Sequence, residues 1–234
     1  MSFAWSTVGT VPVNGVRLGY RAAGDPAGAP ALLVHGTGSS ASTWDRFAAR
    51  LVPLGYQAVA VDLRGHATSE RTGSYLLRSL RDDLLGCLAA FFGGPAVVVG
   101  HSVGAYAALA AAQHSPDLVS RLVLEDIAAP PRWGGLPRRL SRLMAGRPVP
   151  AILLQVACAD PGWWGRLSAV AQPSLVVSGG PSSCIPPRRL AAVTAALPDA
   201  RLATIPVGHR VHSLAPDAFF ASVAGFLPSS AAVV

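Results

Sequence analysis

Lysine is absent from this chain: all 19 basic residues are arginine, set against 12 acids and 6 histidines for a formal charge of +7. That balance alone does not point to nucleic acid, because no recognised binding module and no interleaving of aromatic with basic residues accompanies it. Cysteine is scarce as well. Cys87, Cys158 and Cys184 are odd in number, widely spaced and in no ligand-like pattern, which excludes a disulfide framework or a zinc site as the default and leaves no metal or cofactor expected. No apolar run reaches the ~18 residues that cross a bilayer. The stretch Met1 to Gly15 has no basic start followed by an apolar segment, so the expectation is a cytoplasmic protein with no membrane partner. Charged residues are only 13% and hydrophobic ones 51% of the 234. With no linker between independent halves, that composition implies one α/β core with helices on both faces of a sheet. No internal repeat or low-complexity segment is present, and composition does not specify an oligomeric state.

What is there is an alternation of strand and helix patterns. Val11 to Tyr20 alternates around Asn14-Gly15, a hairpin signal. Buried-strand runs follow at Ala31 to His35, Tyr56 to Leu63, Pro95 to Val99, Leu118 to Glu125, Ser174 to Ser178 and Arg201 to Val207. Between them lie helical spacings at Ser42 to Leu54, Ser74 to Phe92, Ala105 to Ala112, Pro187 to Leu197 and Pro216 to Leu227. After the hairpin this order implies a mostly parallel sheet with right-handed crossovers. Residues 1–130 and 171–234 read as the core, and 131–170 as a short helical cap insertion with two helical candidates separated by Pro148 and Pro150. Reactive groups gather at the carboxyl ends of such strands, where His35, Asp62, Ser102, Glu125, Asp126 and His209 all fall.

Gly100-His101-Ser102-Val103-Gly104 sits between an apolar strand and an alanine-rich helix, the context of a sharp turn that lifts a serine clear of the sheet. A serine hydroxyl needs a base to take its proton and donors to meet the developing oxyanion. The Val103 N–H, at the start of the helix, points towards that charge. Of six histidines, His209 is the expected base, on a loop after a strand and a glycine; His212 is the runner-up, read otherwise as a residue where a helix begins.

Four motifs in this order give the chain a family likeness: His35-Gly36-Thr37-Gly38, Asp62-Leu63-Arg64-Gly65-His66, Gly100 to Gly104, and Gly208-His209. Together they resemble the α/β-hydrolases of the short-cap serine hydrolase and esterase type, and the likeness covers nearly all of Val11 to Leu227. The resemblance implies an oxyanion hole from the Thr37 and Val103 N–H groups, with Asp62, Arg64 and His66 bracing loops. It also exposes a departure. The family's usual acid follows the strand Ser174 to Ser178, yet Gly179 to Ile185 holds no carboxylate, and Ser182 stands near the expected place. Some relatives, haloalkane dehalogenases among them, carry the acid after the earlier strand that ends here in Glu125-Asp126. Alternation along a strand lets only one of the two reach His209; Glu125, on the matching position, is favoured, and Asp126 is the alternative.

The expected chemistry is cleavage of an ester, lactone or thioester of a hydrophobic small molecule through an acyl-enzyme on Ser102. Trp133, Leu136, Leu140, Leu143, Met144, Trp163 and Trp164 suggest an apolar roof, and cap packing explains them equally. Between Pro130 and Ala171, Arg132, Arg138, Arg139, Arg142, Arg147 and Arg166 face a single acid, Asp160. Such a cluster would attract an anionic or carrier-bound substrate; a solvated face accounts for it more simply. Two other classes stay open: a lyase, dehydratase or cyclase using His209 as base, and a ligand-binding receptor with residual hydrolysis.

Overall fold

The computed structural model describes residues 3–136, 146–158 and 160–228. The chain opens with strands β1 (Thr7–Val13) and β2 (Val16–Ala23), antiparallel and closed by Asn14 and Gly15 at φ 48° and 74°. Two successive positive φ values make the tight turn whose twist matches the flanking strands. Then come β3 (Ala29–Val34), α1 (Asp45–Leu51, between two short 3₁₀ turns), β4 (Tyr56–Val61), α2 (Leu77–Phe91), β5 (Ala96–His101), α3 (Val103–His114) and β6 (Val119–Glu125). Residues 131–170 contribute α4 (Pro148–Val156) and α5 (Pro161–Gly165), and the chain returns through β7 (Ser174–Ser178), α6 (Pro187–Ala196), β8 (Ala200–Thr204), α7 (Val211–Leu214) and α8 (Pro216–Ala224).

These strands form an eight-stranded sheet in the order β1-β2-β4-β3-β5-β6-β7-β8. It is parallel from β4 to β8 and antiparallel only at β1 and β2. The inner strands are buried on both faces, which is why β5 reads as a continuous apolar run rather than an alternating one. One apolar layer joins the sheet to α2, α3 and α6 through residues such as Leu84, Leu109 and Leu190, and draws in Ile152 of α4 and Trp163 of α5. The other joins it to α1 and α8 through Phe47, Phe219 and Val223. Strand order reverses between β3 and β5, so the crevice of the doubly wound sheet opens at their carboxyl ends.

Several local expectations change. Pro148 and Pro150 begin α4, where proline's fixed φ and missing N–H are tolerated in the first turn; the helical candidate expected before them falls largely outside the described residues. The short helix α7 begins beside His212, where a helix entry was expected, but His212 is buried, and the last strand ends at Thr204 rather than Val207. Segment 146–158 is tied to the β4–α2 connection: Gln155 accepts from the Leu77 N–H at 3.1 Å and donates to the Tyr75 carbonyl at 2.9 Å.

Candidate active site

The turn at Ser102 is built by close packing. Ser102 has φ 54° and ψ −113°, a conformation outside the regular regions, which costs about 1–3 kcal/mol and survives only when its surroundings hold it. Gly104 supplies part of that hold: a Cβ there would lie 2.4 Å from the Val34 carbonyl oxygen, so only glycine lets α3 approach β3 this closely. Gly100 is equally confined: a Cβ there would lie 2.6 Å from the Ala105 nitrogen. The Ser102 N–H donates to the Glu125 carbonyl at 2.8 Å, pinning the turn to the end of β6. Gly36 packs against Ser102, where an added methyl would stand 3.1 Å from its Cβ. Thr37 follows directly and is half-buried, and Val103 is the first residue of α3.

Over this turn hangs the His209 ring. Its Nε2 lies 3.1 Å from Ser102 Oγ and its Nδ1 2.8 Å from Asp126 Oδ2. A carboxylate only accepts, so Nδ1 carries the hydrogen and Nε2 is left to take one from the serine. Asp126 is fully buried, while the His209 side chain keeps 29% of its surface exposed. The Asp126 carboxylate also accepts from the Gly179 N–H at 2.9 Å and from the Ser183 hydroxyl. The loop after β7, which lacks an acid, thus supplies donors to an acid brought from β6, and Ser183 rather than Ser182 makes the contact.

The expectation that Glu125 reaches His209 is therefore corrected. Glu125 is the last residue of β6 and faces the other way, whereas Asp126 leaves the strand at φ 45° and turns its carboxylate into the crevice. Glu125 meets His212 instead: Oε1 accepts the His212 backbone N–H at 3.0 Å and Oε2 the Nδ1–H at 2.7 Å. Both side chains are sealed, at 0% and 1% exposure. Burial pushes the Glu125 carboxyl up, but the His212 and His101 imidazoles and the hydrogen bonds from His212 outweigh it and leave the group below its ordinary value. His212 Nε2 is 2.6 Å from Thr43 Oγ1, and its ring stacks on Trp44 with centroids 4.4 Å apart. His212 consequently has no contact with Ser102 to offer as a base.

His101 Nε2 donates to the His209 carbonyl at 2.8 Å. Burial holds the His101 imidazole down to about 4, with Glu125 pulling the other way. His35 is likewise lowered to about 4 by burial; its ring bonds the Gly36 carbonyl and accepts from the Leu63 N–H, joining the ends of β3 and β4. Asp62 accepts from the Ala41 N–H at 2.6 Å and from Thr68, and Arg64 grips the buried Asp83 through two nitrogens.

The tryptophans separate. Trp133 is 73% exposed. Trp163 is buried and stacks on Tyr106 with centroids 5.9 Å apart, a packing role. Trp164 donates from Nε1 to the Pro130 carbonyl at 3.0 Å. Leu140 and Met144 lie outside the described residues, as do Arg138, Arg139 and Arg142. Among the described residues no group of three or more His, Cys, Asp or Glu side chains could hold a metal ion, and no helix is long and apolar enough to cross a membrane.

A buried acid, an imidazole and a strained serine thus meet at the switch point of a mostly parallel sheet with helices on both faces. Residues 31–166 match the model of the alpha/beta hydrolase family, and the chain belongs to that family. It is 32% identical over 123 residues to an AB hydrolase superfamily protein of Bacillus subtilis, a stretch covering 51% of this chain and 43% of that protein. The chain thus spans less than half the length of that relative. It is 25% identical to an sn-1-specific diacylglycerol lipase of Mus musculus, over 90% of this chain and 85% of the lipase. Among solved structures it resembles the enol-lactonase of Burkholderia xenovorans LB400 with a TM-score of 0.80 at 22% identity, covering 93% of this chain and 99% of that one. At such identity the likeness concerns the fold.

Proposed function

We propose that this protein is a serine hydrolase that cleaves an ester, lactone or thioester of a hydrophobic small molecule through an acyl-enzyme on Ser102. The observation carrying this reading is the unbroken chain Ser102 Oγ, His209 Nε2, His209 Nδ1, Asp126 Oδ2, with links of 3.1 and 2.8 Å. Ser102 Oγ attacks the substrate carbonyl as its proton passes to His209 Nε2. Asp126 holds the ring in the needed tautomer and offsets the imidazolium that forms. The Thr37 and Val103 N–H groups receive the oxyanion. Collapse expels the alcohol or thiol, which takes the proton back from Nε2. Water then repeats the sequence on the acyl-enzyme and releases the acid.

The lyase, dehydratase or cyclase reading uses the same His209 as base; Asp126 at 2.8 Å from its ring supports acyl transfer, in which the imidazolium that forms needs such a partner. Esterase and lipase activities among the relatives lend support to the ester reading. The experiment is a screen of chromogenic esters of increasing acyl length with wild type and Ser102→Ala, together with analysis of the product for added water. Turnover dependent on Ser102 with water incorporated is expected; equal turnover in both proteins overturns the proposal.

A further inference from the structure

The end of β6 presents two acids in succession, and the loop after β8 presents two histidines three residues apart; the fold pairs them one to one. Asp126 takes His209 and Glu125 takes His212. Only the first pair touches the reactive serine, and the second is the more completely buried of the two. Burying an ionisable pair is expensive unless every hydrogen-bonding position is used, and here Glu125 uses three. Its backbone carbonyl accepts the Ser102 N–H, and its two carboxylate oxygens accept the two N–H groups of His212. One residue therefore serves as the common reference for the nucleophile and for the loop that carries the base.

We infer that Glu125 and His212 are positioning residues for the His209 imidazole, acting through the backbone between 209 and 212; this rests on the Ser102 acyl-transfer reading. Three further contacts make the grip directional. His101 holds the His209 carbonyl, fixing the loop at its start as His212 fixes it at its end. Trp44 closes the plane of the His212 ring, and Thr43 bonds its outer nitrogen. Thr43 and Trp44 also follow the turn that carries Thr37, so the oxyanion loop and the base loop share an anchor. Thr43, His212 and Ser213 line an open groove of about 820 Å³, so the outer end of this arrangement borders open space while its inner end at Glu125 is buried. A displacement of about 1 Å at the base costs on the order of 100-fold in rate without altering substrate binding.

The test compares wild type with Glu125→Ala, Glu125→Gln and Thr43→Val, reading kcat and KM separately, the rate at which a fluorophosphonate labels Ser102, and Tm. Glu125→Ala should lower kcat and the labelling rate on the order of 100-fold with KM within about threefold. Glu125→Gln, whose amide oxygen still accepts the His212 N–H, should recover most of that loss, and Thr43→Val should cost about threefold. The His209 Nδ1–H proton resonance, identified by its disappearance in Asp126→Asn, reads the same placement with no substrate present and should shift in Glu125→Gln. Should Glu125→Ala fail to fold, the resonance shift in Glu125→Gln and the rate loss in Thr43→Val carry the test. Folded variants with a lower Tm but unchanged kcat, labelling rate and resonance overturn the inference, because the pair then only stabilises. Absence of any Ser102-dependent turnover in wild type would instead sink the hydrolase reading, and the resonance would still report on the positioning.

Discussion

Asp126 and Glu125 are neighbours in sequence and carry the same charge, yet each is committed to a different imidazole. Asp126 serves a ring with nearly a third of its surface open; Glu125 serves one that is sealed. A carboxylate facing a partly wet histidine can respond to a proton arriving on that ring during a reaction. A carboxylate locked against a buried ring, a backbone N–H and an aromatic plane can only hold geometry. The contrast teaches that an acid–histidine pair in a crevice is assigned its role by what lies on the far nitrogen of the ring. For His209 that is a serine hydroxyl on a strained turn; for His212 it is a threonine on the wall of a groove.

The sharpest break of this comparison is Asp126→Asn, which should lower kcat by about 10⁴ by favouring the wrong tautomer while leaving Tm nearly unchanged, as steady-state kinetics and thermal unfolding would show. The opposite signature is expected on the sealed side. His212→Leu strands a buried carboxylate and should destabilise by about 3–5 kcal/mol, and the double change Glu125→Leu with His212→Leu should recover most of it; denaturant titration of the three proteins measures this.

Lowering the pH should weaken the fold through its buried imidazoles. The imidazoles of His101 and His35 sit at about 4 in the folded chain, below the ordinary 6.5, so between these values the unfolded chain binds protons that the folded one refuses. Stability is therefore complete above about pH 6.5 and falls as pH drops towards 4, on the order of 3 kcal/mol for each ring. Glu125, held below its ordinary value, adds a loss at still lower pH as it protonates. Unfolding midpoints between pH 7.5 and 4.5, chosen from the same linkage, should decline steadily, and a flat profile would contradict the burial argument. The smallest effect is Trp44→Phe, which keeps a ring against His212 but with less area and should cost about 0.5–1.5 kcal/mol, seen as a small shift in midpoint.

Much of this was legible in the amino acids. The strand–turn–helix pattern around Ser102 rests on local sterics and hydrophobic period, and the glycines at 100 and 104 mark contacts that no side chain would survive. His209 was legible as a residue released from a strand after a glycine. The acid was not. Alternation along β6 cannot say which of Glu125 and Asp126 faces His209, because Asp126 lies one residue beyond the strand at positive φ, where alternation no longer applies. The role of the tryptophans was not legible for a related reason: an apolar side chain in an insertion serves a roof and a core equally, and the stacking of Trp163 on Tyr106 is a tertiary contact.

By itself the chain determined most of the elements, their parallel order and the sharp turn at Ser102, because these follow from local backbone preference and from the period of apolar burial. The choice between two adjacent carboxylates, and the pairing of two histidines three residues apart, belonged to tertiary structure alone. Hydrogen bonds between segments more than 80 residues apart depend on where whole strands and loops come to rest, and no local pattern carries that information.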